Sequence, residues 1–249
     1  MHAVTLITGA SQGIGAATAR LLATQGHALL IHYAHRADLA QAVADECLEL
    51  GSPRVVIAQA DVAQDSDVVQ LFATADATLP PLTGLVNNAG IVDRTTRVDE
   101  MSGQRISRMF AVNVVGPMLC AREAVRRMSS RNGGQGGVIV NVSSSAVRTG
   151  SPSVYVDYAA SKGAIDVFTL GLSKEVAGEG IRVCAVRPGI TATGIHATGG
   201  EPDRADRLGP TLPMGRAAHP DEIAQAIAWL LSDAASYTAG SILDVTGAR

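Results

Sequence analysis

Thr8-Gly9-Ala10-Ser11-Gln12-Gly13-Ile14-Gly15 sets three glycines into an otherwise apolar N-terminal stretch. Ahead of it, Ala3 to Ile7 is a short run with β-branched Val4, Thr5 and Ile7, which reads as a buried strand. Behind it, Ile14, Ala17, Leu21 and Leu22 recur at helical spacing among Ala16, Ala19 and Ala23. Gly9, Gly13 and Gly15 therefore stand where a strand becomes a helix. Glycine tolerates positive φ and lets the backbone approach an anion with no Cβ in the way. The helix N-terminus adds free N–H groups and a favourable dipole. A glycine triplet alone is equally a tight turn packing helix on strand. In the first strand-to-helix turn it reads as a pyrophosphate cradle for a dinucleotide.

Outward from this turn, strand and helix patterns alternate. Strand-like runs are Ala3–Thr8, Ala28–Tyr33, Arg54–Gln59, Gly84–Asn87, Gly137–Val142, Ile181–Arg187 and Ser241–Val245. Helical stretches are expected near 14–25, 37–50, 65–78, 101–130, 153–178 and 219–232. The spacing predicts an α/β chain: a single-domain, doubly wound Rossmann fold over 1–249, with a seven-stranded parallel sheet and helices on both faces. An eight-fold α/β barrel has similar length, but barrels usually hold phosphate near their last strands rather than after the first. The run Gly133-Gly134-Gln135-Gly136-Gly137 sits between a helix and a strand and reads as a surface turn.

Bulk properties suit a soluble enzyme. With 249 residues there is length for one large core, and the formal net charge of −3, without a basic stripe, argues against a nucleic-acid partner. Cys47, Cys120 and Cys184 have no C-x-x-C spacing, so neither a disulfide framework nor a metal site is expected, and a reducing cytoplasm fits. The chain enters its first strand at once, so no leader is expected, and no apolar run approaches the roughly 20 residues of a membrane span.

Far along the chain stands Tyr158-Ala159-Ala160-Ser161-Lys162. Lys162 lies at i+4 from Tyr158, on the same helix face. A phenol titrates near pH 10, too high for a base at neutral pH, and a neighbouring ammonium favours the phenolate. An isolated Tyr-x-x-x-Lys is more often an amphipathic helix surface. In a dinucleotide fold, after a serine-rich strand end, the pair suits the hydroxyl proton that must move when a hydride passes between a nicotinamide and a carbonyl carbon.

These pieces carry a resemblance over essentially the whole chain. T-G-A-S-Q-G-I-G at 8–15, Asp61-Val62, Asn87-Asn88-Ala89-Gly90, Asn113, Ser143-Ser144-Ser145, Tyr158-x-x-x-Lys162, and Arg187-Pro188-Gly189 followed by Thr193 stand in the order of the short-chain dehydrogenase/reductase family. The chain is most similar to its bacterial sugar (glucose) dehydrogenase-like and 3-oxoacyl-carrier-protein reductase-like members. The resemblance implies that Tyr158 is the acid/base and that Lys162 also holds the ribose hydroxyls of the nicotinamide half. It assigns Asn113 a water-mediated proton relay to Lys162. On its own, Asn113 reads equally as a buried Asn bonding back to its helix.

A serine hydroxyl should hold the substrate oxygen. In the family this serine stands about a dozen residues before the tyrosine. Aligning the strand Val138–Val142 selects Ser144, and counting thirteen back selects Ser145; Ser144 is the choice made here. The cofactor is expected along Gly9, Ser11, Gln12, Gly13, Ile14 and Gly15, then Asp61 and Val62 at the adenine, and Asn88, Ala89 and Gly90 along the adenosine ribose. Pro188, Gly189, Ile190 and Thr193 should meet the nicotinamide amide and pyrophosphate. Asp61 reads alternatively as a turn residue capping the next helix.

Two departures from the family bear on cofactor choice. Gln12 stands where many NADP-preferring relatives carry Arg or Lys, and Tyr33 where NAD-preferring ones carry an acid. With no carboxylate to bind the ribose diol or repel a 2′-phosphate, and with His35 and Arg36 following, the reading is NADP(H) preference, with NAD(H) possible. Residues 191–218 are irregular and glycine- and proline-rich, as expected of a substrate lid. His196, Arg94, Arg148, Val154 and Tyr155 are its candidate specificity contacts. Apolar residues on more than one face of 101–130 and 153–178 predict burial between subunits, in a homotetramer. The expected function is interconversion of a carbonyl and a secondary alcohol on a sugar, ketone or 3-oxoacyl-type substrate. The alternative is a dinucleotide-sensing interaction protein that kept the fold.

Overall fold

The strands are apolar on both sides because both faces of the sheet are covered. In β1 (Val4–Ile7) every residue is buried, and the same holds for β4 (Gly84–Asn87). The computed structural model describes residues 3–249. Its remaining strands are β2 (Ala28–Tyr33), β3 (Val55–Gln59), β5 (Gly137–Val142), β6 (Ile181–Pro188) and β7 (Ile242–Val245). All pair in parallel, in the order β3-β2-β1-β4-β5-β6-β7. This is the expected doubly wound sheet, and its order reverses beside β1, opening a crevice at the carboxyl ends of β1 and β4.

The helices are α1 (Gly13–Thr24), α2 (Ala37–Glu49), α3 (Asp65–Thr78), α4 (Gly103–Phe110), α5 (Gly116–Met128), α6 (Ala146–Thr149), α7 (Val156–Val176), α8 (Ile195–Thr198), α9 (Arg204–Leu208) and α10 (Pro220–Leu231). Alternate strand residues feed two cores. Leu6, Leu30, Leu85, Ile139 and Val183 pack with Phe72 of α3 and Met128 of α5 on one face. Ile7, Leu29, Ile31, Val86 and Val140 pack with Leu22 of α1 and Ile227 of α10 on the other. Among the described residues, no helix is long and apolar enough to cross a membrane.

Two helical expectations need correcting. The stretch 101–130 is not one regular helix: a π turn, Ala111–Val115, joins α4 to α5, with the Gly116 N–H reaching back to the Ala111 carbonyl. Pro117 supplies the reason, since it has no N–H to return to the Asn113 carbonyl one turn earlier. The stretch 153–178 starts late, at Val156, because Ser151 (φ 43°) and Ser153 (φ 59°) take left-handed backbone that no helix continues through. The glycine run at 133–137 is a turn leading into the amino end of β5, away from the crevice.

Residues 191–218 leave the sheet as an excursion with joined feet. Thr191 bridges to Ala218, the Ala192 N–H donates to Ala218 O at 2.9 Å, and the Ala218 N–H donates to Ile190 O at 2.9 Å. Within it α8 and α9 are single turns.

Candidate active site

A cavity of about 620 Å³ follows the carboxyl ends of the strands. Of the residues expected to hold a cofactor, it is lined by Gly9, Ser11, Gln12, Gly13, Ile14, His35, Arg36, Asp61, Val62, Asn88, Ala89 and Gly90. Pro188, Gly189, Ile190 and Thr193 line it too, together with Ser144, Tyr158 and Lys162. Gly15, Tyr33 and Asn113 are absent from that lining. Gly15 is a close-packing position, where a Cβ would fall 2.6 Å from both the Asn88 Nδ2 and the Gly9 carbonyl.

The glycine loop has the form of an anion cradle. Gly9 and Gly13 take φ of +64° and +59°, and a Cβ on Gly9 would lie 2.9 Å from Ala89 Cα. Gln12, at the N-cap of α1, makes no side-chain cap. The first N–H groups of that helix are thus left without a side-chain acceptor at the cavity wall, where phosphate oxygens fit. Asn88 braces the loop by donating through Nδ2 to the Thr8 and Gly9 carbonyls, each at 2.9 Å. Thr8 Oγ1 accepts from the Asn88 and Ala89 N–H groups, each at 3.0 Å. His32, which the sequence reading passed over, also lines the cavity and accepts the Gly9 N–H at 3.0 Å. Its signal was an imidazole at the end of an otherwise apolar strand.

At the end of the cavity lined by His35 and Arg36, Arg36 grips Asp38 twice, Nε to Oδ1 at 3.0 Å and Nη2 to Oδ2 at 2.7 Å. Asp61 does not cap α3, whose N-cap is Gln64: its Oδ1 accepts from the Ala63 N–H at 3.1 Å within the turn before the helix, while Oδ2 pairs with Arg108 at 2.9 Å. Tyr33 packs against the second core rather than into the cavity, so any effect on cofactor choice is through space. Ala34 lines the wall in its place.

The chemical end is built on β5 and α7. Of the three serines, Ser143 Oγ donates to the Lys162 carbonyl at 3.3 Å and the Ser145 N–H donates to Pro188 O at 2.9 Å. Ser144 Oγ accepts the Ala146 N–H at 3.1 Å and lines the cavity beside Tyr158. Burial pushes the Tyr158 phenol above its ordinary 10.0, the neighbouring Ser144 hydroxyl pulls down, and nearby Tyr155 adds to the rise. Lys162 is 4% exposed and donates from Nζ to the Val142 carbonyl at 2.8 Å. Burial lowers its pKa to about 8, against the pull of Asp166. Desolvation thus raises the phenol and lowers the ammonium, opposite in direction to the electrostatic help expected from Lys162.

Asn113 is fully buried in the π turn. Its Oδ1 accepts the Ile91 N–H at 2.8 Å, and its Nδ2 donates to Ile91 O at 2.9 Å and Ser161 Oγ at 3.2 Å. It pins the irregular segment following β4 rather than bonding back to its own helix carbonyls. A Cβ on Gly90 would lie 3.4 Å from both Asn113 Oδ1 and Lys162 Nζ, so glycine there keeps the two side chains close.

Tyr155 and His196 line the far end, joined by Arg204 from α9. The Arg204 guanidinium lies 5.1 Å over the Tyr155 ring, and Tyr155 meets Tyr158 edge-on at 6.4 Å. Arg94, Arg148 and Val154 do not line the cavity, and Arg148 is paired with Asp244 at 3.2 Å. Among the described residues, no group of three or more His, Cys, Asp or Glu could hold a metal ion.

A family profile described as enoyl-(acyl carrier protein) reductase matches residues 9–247. The Escherichia coli K12 protein named uncharacterized oxidoreductase YgfF is 51% identical, with 99% of this chain and 100% of that one covered. The chain belongs to the short-chain dehydrogenase/reductase superfamily. This short-chain dehydrogenase/reductase is also 37% identical to cis-4-hydroxycyclohexanecarboxylate dehydrogenase of Sinomonas cyclohexanicum, over 98% of this chain and 95% of the relative. The crystal structure of a Brucella melitensis 3-ketoacyl-(acyl-carrier-protein) reductase complexed with NADH superposes with a TM-score of 0.90 at 31% identity, covering 99% and 98% of the two chains. These relatives share the superfamily without singling out a sugar dehydrogenase or a 3-oxoacyl reductase.

Proposed function

We propose that this oxidoreductase prefers NADP(H) and interconverts a carbonyl and a secondary alcohol on a small sugar, ketone or 3-oxoacyl-type substrate. The observation that carries the chemistry is the gathering of Ser144, Tyr158 and buried Lys162 at one end of a cleft whose other end is an uncapped helix N-terminus. When bound, a nicotinamide dinucleotide supplies or takes up a hydride at the substrate carbon. Ser144 donates to the substrate oxygen and holds it against Tyr158. In reduction the Tyr158 phenol gives that oxygen its proton; in oxidation the phenolate takes it. Lys162 presents its ammonium to the same end of the cleft, for ribose hydroxyls and for the phenolate. Asn113 holds the Ile91 main chain so that the proton path beside Lys162 keeps its width.

NADP(H) preference is supported by the missing acid at Tyr33 and by His35 and Arg36 on the wall where a 2′-phosphate would lie. The Arg36–Asp38 pair and the NADH in the Brucella relative favour the second reading, an NAD-preferring enzyme. Three buried free thiols, Cys47, Cys120 and Cys184, suit a cytoplasmic location. Exposed Val115, Met118, Val167 and Leu170 support a homotetramer. The test is oxidation of NADPH and NADH across aldehydes, ketones and sugars, and reduction of NADP and NAD with the matching alcohols. NADPH turnover with at least one class is expected. Cofactor binding without any turnover would support the dinucleotide-sensing alternative.

A further inference from the structure

β2 is apolar from Ala28 to Ile31 and then places an imidazole, His32, at 1% exposure beside the glycine loop. Its two nitrogens face partners of opposite kind. Nδ1 lies 3.0 Å from the Gly9 amide nitrogen, which can only donate, and Nε2 lies 3.0 Å from the Ala60 carbonyl, which can only accept. Only one form satisfies both: the neutral ring with the proton on Nε2. The same residue's carbonyl accepts the Ala10 N–H at 2.9 Å, and Asn88 holds the Gly9 carbonyl from the other side at 2.9 Å. Gly9, at φ +64° and pressed against Ala89, is thus fixed through its amide by His32 and through its carbonyl by Asn88.

We propose that His32 is the positioning residue of the dinucleotide loop, and that its protonation releases the loop so that cofactor affinity falls in acid. The inference rests on the reading of this loop as the cofactor site. An imidazolium carries a proton on both nitrogens, which would set an N–H against the Gly9 N–H and leave that amide without its acceptor. Burial holds the His32 pKa below its ordinary 6.5, with the Ala60 bond and the Asp61 charge acting the other way. The charged groups around it are Asp61 with its partner Arg108, and, on the connection after β2, His35 and the Arg36–Asp38 pair. The glycine loop contributes no ionisable side chain, and the first in α1 is Arg20.

The sign follows from the lowered pKa: the binding form is the deprotonated one, so affinity is intact at neutral pH and lost as pH falls through a value below 6.5. NADH is the probe, because the 2′-phosphate of NADPH itself titrates near pH 6. Calorimetric titration of the whole protein with NADH, between about pH 8 and pH 5, should show a constant Kd that then weakens by up to about tenfold per pH unit, with proton release on binding. His32→Gln keeps a donor and an acceptor but cannot titrate, so its Kd should stay flat over the same range. Should that variant fail to fold, ¹⁵N-imidazole spectra of the unaltered protein at neutral pH must show a neutral ring protonated on Nε2. A charged ring, the Nδ1–H tautomer, a flat wild-type profile, or affinity that rises on acidification overturns the proposal. Absence of binding by NADH and NADPH at pH 8 would instead defeat the cofactor reading, and the spectra would still judge the tautomer.

Discussion

The ammonium of Lys162 lies 5.8 Å from the centre of the Tyr158 ring and spends a proton on the Val142 carbonyl at 2.8 Å. With the phenol raised by burial and the ammonium lowered to about 8, the pair is held nearer to its neutral forms than free side chains would be. Alcohol oxidation needs the phenolate, so its rate should climb with pH through the neutral and alkaline range. Carbonyl reduction needs the phenol and should stay level until that group titrates. Lys162→Met removes the ammonium beside the phenol ring and should move the oxidation limb upward. Initial rates in both directions across pH check this; identical profiles in the two directions would contradict it.

Tyr158→Phe should keep the fold and cofactor affinity while lowering turnover roughly 10²–10⁴-fold, the usual cost of losing an acid/base. Ser144→Ala removes the hydroxyl proposed to hold the substrate oxygen beside Tyr158 and should cost more turnover than Ser145→Ala, whose structural bond to Pro188 is made by its main chain. Steady-state rates for the three variants decide the order. The reverse order for the serines would shift the catalytic position by one.

Arg36 shows how a charge can be present and still committed elsewhere. Its Nε and Nη2 edge is taken by Asp38, leaving Nη1 to reach a 2′-phosphate. Arg36→Ala should weaken NADPH by roughly three- to tenfold and leave NADH nearly unchanged, while Asp38→Asn should strengthen NADPH by a similar factor. Equal effects on both cofactors in fluorescence titrations would make Arg36 a surface charge.

Val167 on α7 is 70% exposed, with Leu170, Met118 and Val115 also open to solvent. A homotetramer that covers these positions should sediment near four times the chain mass at micromolar concentration. Val167→Asp should lower that mass, and a monomer for the unaltered protein would refute the assembly.

The fold was legible because its signals are local: apolar runs of strand length, glycines at the first turn, and helical spacing between. Its misreadings were also local in cause. Pro117 sits inside a strong helical pattern, yet its effect appears one turn earlier, as the π turn holding Asn113. Ser151 and Ser153 give no warning that their backbone turns left-handed. Tyr158, Lys162, Gly9 and Gly13, singled out by their spacing, and Ser144 all come together on the lining of one cavity. His32 and Arg204 were not legible in the sequence, because their partners come from the elements they fold against, and the Arg36–Asp38 pair, only two residues apart, is decided by how the connection after β2 turns. Tyr33, expected at the cofactor, packs instead against the second core, as strand alternation places it.

The stitched feet of residues 191–218 bear on how such a chain can change over time. Because Thr191 and Ala218 are bridged at the base, the ends of this segment stay together whatever lies between them. Lengthening a loop with adjacent ends adds little entropic cost, about 0.6 kcal/mol per doubling. A foreign excursion of another length can thus be grafted between the two feet, while the sheet and the side chains on β5 and α7 remain as they are.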